Sequence, residues 1–102
     1  MNAGATAVVA HNDLLAIGVM QRLAQRGIRV PGDMSVVGFD DIFAADVCAP
    51  TLTTLGGAHV DVGRAAVELL LTAGSRAPDD QPHVVLPTEL VVRDSATNPP
   101  PV

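Results

Sequence analysis

Two short polar clusters carry whatever chemistry this chain has, His11-Asn12-Asp13 and Asp40-Asp41. Each follows an apolar run: Thr6-Ala7-Val8-Val9-Ala10 before the first, Ser35-Val36-Val37-Gly38-Phe39 before the second. An ionised aspartate accepts from two hydroxyls or ring N–H groups, and an asparagine both donates and accepts. Asn12 and Asp40 therefore suit a small polar ligand such as a sugar or a nucleobase, with His11, Asp13 and Asp41 as weaker contributors. A phosphate is less welcome beside two acids. The alternative is structural, because Asp is a favoured N-cap and the pair can cap the segment that follows. Recurrence of one pattern at the ends of two strands is what lifts Asp40 above a mere cap.

Catalysis is not expected. Asp40 and Asp41 could form an acid/base dyad, but adjacent residues at a strand end diverge, and no nucleophile or metal partner is visible. The sequence holds no GxSxG elbow, P-loop, HExxH, CxxC or GxGxxG. His11, His59 and His83 lie on separate elements without ligand spacing, so neither a metal nor a cofactor is expected. Cys48 has no sequence-visible base and reads as a small buried hydrophobe.

The elements that must position these clusters follow a βαβ order. Residues 6–10 read as a buried strand, and a helix runs from Leu14 to Arg26. Asp13 is the better N-cap candidate, Asn12 its rival, and Gly27 the stop. Pro31-Gly32 is a turn signal, and the strand beginning at Ser35 returns the chain to the same sheet. Two parallel strands place their carboxyl ends at one edge, where open α/β sheets bind ligands. From Leu14 to Met20 every residue is apolar or Gly. One face of that half-helix suits the sheet and another suits a second subunit; the alternative is a helix sandwiched within a larger domain.

Residues 42–49 read as irregular or a single turn, Leu52–Leu55 as a short strand, and Gly56-Gly57 as a hinge or turn. A second helix spans about His59 to Thr72, with its polar residues on one narrow face. His83–Leu86 and Glu89–Val92 read as one edge strand kinked at Pro87. Residues 1–5 are expected to fray, and residues 95–102, with Pro99-Pro100-Pro101, to be a disordered tail.

With 102 residues there is room for one domain of ordinary size. A net charge of −5, with Arg the only strong base, disfavours direct contact between this chain and nucleic acid. One cysteine fits a reducing compartment, no signal peptide is evident, and no stretch reaches the ~18 apolar residues of a membrane span. The expected setting is the cytoplasm, with no membrane partner.

Several linked motifs resemble one family. Asn12-Asp13-Leu14-Leu15-Ala16-Ile17-Gly18, the run from Gly27 to Asp41 ending in Gly38-Phe39-Asp40-Asp41, Pro50-Thr51-Leu52-Thr53-Thr54, Gly63-Arg64-Ala65-Ala66 and Leu86-Pro87-Thr88-Glu89-Leu90-Val91-Val92-Arg93-Asp94-Ser95 stand in order. Together they resemble the carboxyl-terminal part of the lactose/galactose repressor (LacI/GalR) family. The resemblance implies an α/β fold, a truncated periplasmic-binding-protein-like (type I) domain with a parallel sheet and flanking helices.

Residues 6–94 would be effector-binding and dimerisation domain, with about 6–52 in one lobe and about 57–88 packing with the other. Asn12 and Asp40 would bind the effector. Leu14, Leu15, Ile17, Gly18, Met20, Val47 and Cys48 would build a homodimer interface. DNA would be reached only through a helix-turn-helix headpiece that is not in this sequence, so a fragment or an internally started frame is expected, marginally stable by itself. The function implied is effector sensing and dimerisation in a DNA-binding transcriptional regulator. The alternative is a solute-binding module of the same fold without DNA function.

Overall fold

The computed structural model describes residues 4–102; the first three of the five residues expected to fray lie outside the described residues. The chain divides into two compact units. One comprises the described residues through Gly56 together with Glu89–Val102; the other is Gly57–Thr88.

The first unit is built on a sheet of order β1-β2-β3-β4: β1 (Ala7–Val9), β2 (Ser35–Asp40), β3 (Thr53–Gly57) and β4 (Thr88–Val91). β1 pairs parallel with β2, Val9 opposite Val37, and β2 pairs parallel with β3, Asp40 opposite Gly56. Helix α1 (Asp13–Gln25) joins β1 to β2 and ends at Gly27, whose φ of +73° suits glycine. The core is Ala16, Met20, Met34, Val36, Ala45 and Leu52. Aliphatic side chains supply all of it because the two Phe, Phe39 and Phe43, are exposed. Residues 42–49 contain one 3-10 turn, Phe43–Asp46.

Four expectations need correction. β1, read as buried, is an edge strand with Val9 74% exposed. Gly56-Gly57, read as a hinge or turn, continues β3, because its backbone finds a strand partner in Asp40. Of the kinked edge strand only its second part forms, as β4; residues 81–87 have no regular structure. The tail is not disordered at its start. The buried Ser95 hydroxyl accepts from the Thr53 N–H (2.9 Å) and donates to the Val36 carbonyl (2.5 Å). Thr97 exchanges two backbone bonds with the Ser35 hydroxyl. Serine hydroxyls supply partners there that a proline-rich composition does not reveal.

The second unit holds helix α2 (His59–Leu71), a 3-10 turn (Ala73–Ser75) and the irregular segment that follows. Arg76 closes the end of α2 by donating to the Leu69 carbonyl (2.9 Å) and to the Thr72 hydroxyl. No residue of α2 is buried. No helix among the described residues is long and apolar enough to cross a membrane.

Candidate functional site

The β1–β2 register decides where the polar clusters fall. Val9 faces Val37, and Asn12 and Asp40 each lie three residues beyond that pair, so both emerge at the same end of the parallel sheet. β3 ends beside them, since Asp40 faces Gly56.

The cap falls to Asn12 rather than to Asp13, the better candidate from sequence. Asn12 is the N-cap: its backbone is extended (φ −152°, ψ 176°) and its Oδ1 accepts from the Leu15 N–H at 2.9 Å. Capping occupies the carbonyl end of the side chain and leaves the NH2 end as a donor. Asp13 is 1% exposed inside the first turn. Its Oδ2 accepts from the Ile42 N–H (2.8 Å) and its Oδ1 from the Thr54 hydroxyl (2.6 Å). One carboxylate thus ties the start of α1 to the loop after β2 and to β3, with the positive end of the helix beside it. Its burial removes Asp13 from the expected ligand contacts. Gly38 makes room for it, because a Cβ there would lie 2.2 Å from Asp13 Oδ1.

The chain then leaves β2 through two consecutive aspartates at positive φ, Asp40 at 115° and Asp41 at 59°. Such conformations are uncommon for non-glycine residues, cost about 1–3 kcal/mol each and persist only where surrounding contacts fix them. Those contacts are visible at Asp41. Its carboxylate meets the Arg93 guanidinium at 2.8 Å, and its Cβ packs where a Gly56 side chain would otherwise stand, 2.8 Å away. Asp41 Oδ1 is thereby engaged by Arg93, with the side chain 31% exposed. Arg93 itself is 16% exposed and donates to the Leu52 carbonyl (3.0 Å), while its N–H donates to the Thr53 hydroxyl (2.9 Å) and its Nε lies 3.5 Å from Asp46. Of the five expected contacts, Asn12 and Asp40 stay half-buried at the sheet edge and His11 is exposed beside them.

Nothing in the sequence alone singles out Arg93 or Thr54 as functional. Arg93 stands in a matching motif, yet its partners are up to 52 residues earlier in the chain (Arg93 to Asp41) and nothing local names them. Among the described residues no group of three or more His, Cys, Asp or Glu could hold a metal ion. A side-chain hydrogen bond from Arg29, then its backbone N–H, holds the Asp33 carboxyl at about 2.

The expected interface residues separate into three groups. Leu14 (68% exposed), Leu15, Gly18 and Val47 lie on the surface. Ile17 and Cys48 are half-buried and line, with Gln21 and Ala24, a shallow cleft of about 260 Å³. Met20 is a correction: at 5% exposure it belongs to the core, because its position on α1 points toward the sheet.

Comparison with known proteins places this architecture. The family model described as a periplasmic binding protein-like domain matches residues 2–96. The chain belongs to that family. Within it, the chain is a portion of the effector-binding domain of the LacI/GalR family. It is 42% identical over 90 residues to the HTH-type transcriptional repressor PurR of Vibrio vulnificus, covering 88% of this chain and 27% of that one. A lactose operon repressor of Rhizobium radiobacter is 40% identical over 93 residues, 91% of this chain and 81% of the relative.

Among solved structures, a LacI family transcriptional regulator from Arthrobacter in complex with lactose superposes with a TM-score of 0.80 at 38% identity, covering 91% of this chain and 36% of that one. The lac repressor dimer bound to operator and the anti-inducer ONPF gives 0.80 at 33% identity, with 91% and 32% covered. The LacI/GalR chain thus spans about a quarter to a third of most of these relatives. The truncated α/β fold expected from the motifs is what the structure contains.

Proposed function

We propose that this chain is the effector-reading and dimerising portion of a cytoplasmic LacI-type transcriptional regulator, binding a small polar ligand of the sugar or nucleobase class. The observation that carries the reading is the convergence of Asn12 and Asp40 at one sheet edge, fixed by the β1–β2 register. Asn12 presents an amide donor and Asp40 a carboxylate acceptor, a pair that matches vicinal hydroxyls or a ring edge. That a relative 38% identical is known in complex with lactose supports the sugar class.

Leu14, Leu15, Gly18 and Val47 supply exposed apolar surface for a second copy, in keeping with a relative solved as a dimer. The division of the chain at Gly57–Thr88 supports assignment of that unit to the other lobe. DNA contact belongs to other parts of the regulator. A solute-binding module without DNA function finds no support among relatives that carry repressor names.

Isothermal titration with lactose and ribose tests the reading. Asp40→Asn, which removes a charged acceptor, should weaken the sugar that binds by about 10- to 100-fold. Equal affinity in the wild type and in the Asp40→Asn variant would overturn it.

A further inference from the structure

Resting on that reading of the site, we propose that Arg93 is a positioning residue: it holds the Asp40–Asp41 turn in its positive-φ form and so sets the geometry with which Asp40 meets a ligand. Two consecutive non-glycine residues at φ 115° and 59° do not hold that shape by local preference. The turn is clamped on both sides. On one side the Asp13 carboxylate takes the Ile42 N–H immediately after it; on the other Arg93 takes Asp41.

The Asp13 clamp starts from the same junction as Asn12. Arg93 comes from the opposite end of the sequence, two residues past β4. Its guanidinium is nearly enclosed and spread over Asp41, the Leu52 carbonyl and Asp46, an arrangement that a planar fork makes and a point-charge ammonium does not. Its backbone N–H is separately fixed to Thr53, so the side chain starts from an immobilised root. Arg93 therefore ties together the ligand-side turn, the 3-10 segment next to Val47 and the strand β3.

The test compares wild type, Arg93→Lys, Arg93→Met, Asp41→Asn and the Arg93→Met/Asp41→Asn double variant in the 102-residue chain. Asp41→Asn keeps the side-chain shape and guards against a variant that merely fails to fold. The first readout needs no ligand: residues at positive φ give a strong intraresidue HN–Hα nuclear Overhauser effect. Wild type should show it at Asp40 and Asp41, Arg93→Met and Asp41→Asn should lose it at both, and Arg93→Lys should fall between.

The second readout is lactose titration. Arg93→Met and Asp41→Asn should each weaken binding about tenfold, and the double variant no further, because both break one pair. Retention of the positive-φ signature in Arg93→Met and Asp41→Asn overturns the proposal. So does unchanged affinity in Arg93→Met where Asp40→Asn weakens binding. If the signature collapses in the variants while wild type and Asp40→Asn bind lactose alike, Arg93 holds the turn and it is the effector reading that falls.

Discussion

The two units of this chain differ in what their helices have to rest on. α1 of the first unit buries Ala16 and Met20 against Met34, Val36, Ala45 and Leu52, and its amino end is anchored by the buried Asp13. α2 of the second unit has the same length and a similarly apolar composition, yet none of its residues is buried. Val60, Val67, Leu70 and Leu71 are all exposed on it. Apolar content therefore does not make a core; a facing surface does. An isolated helix of 13 residues is marginal in water, since nucleation costs more than so few turns return. Burial in the first unit offsets that cost, at about 25 cal/mol per Å² of apolar surface removed from water.

The sharpest way to break this contrast is a pair of matched truncations followed by denaturant unfolding. Leu52→Ala, at a fully buried position, should cost about 2–5 kcal/mol. Leu70→Ala, at a position 72% exposed, should stay within about 0.5 kcal/mol. Equal losses would mean that α2 is covered in solution, for instance by a second copy.

A smaller effect sharpens the polar half of the same contrast. Asp13→Ala leaves the Ile42 N–H and the buried Thr54 hydroxyl without their acceptor and should destabilise the first unit by about 1–3 kcal/mol. Amide exchange should quicken at Ile42 while α2 is unmoved. Stability unchanged on this substitution would deny the anchor its role.

The smallest effect is a pH dependence from Asp33. Its carboxyl is held at about 2 against an ordinary 3.8, so the charged form is favoured by folding. The contribution is fully present above about pH 4 and is lost as pH falls through about 2. The pair is exposed, so its removal by Asp33→Asn should flatten the acid limb of the stability curve only slightly. An acid limb steepened by that substitution would contradict the sign.

Much of the backbone was legible because local patterns control it. α1, β2 and α2 fall within a residue or two of their expected limits, since apolar period, Gly27 and the strand-forming run before Asp40 act over short range. The sequence also placed Asn12 and Asp40 at a strand edge, through nothing more than position after an apolar run. What failed had distant partners. Asp13 looked like the cap because aspartates cap well, but Thr54 and the Ile42 amide draw it inward and leave capping to Asn12. Gly56-Gly57 looked like a break until Asp40 supplied a neighbouring strand. Ser95 looked like the start of a tail until Val36 and Thr53 supplied bonds.

By itself, then, the sequence determined the order of elements, the family and the two residues offered at the sheet edge. Tertiary structure alone decided which aspartate is buried, that Asp40 and Asp41 are turned to positive φ, and that Arg93 pairs with Asp41. Local propensity depends on neighbours a few residues away. A buried carboxylate or a clamped turn depends on groups that meet only when the chain has folded.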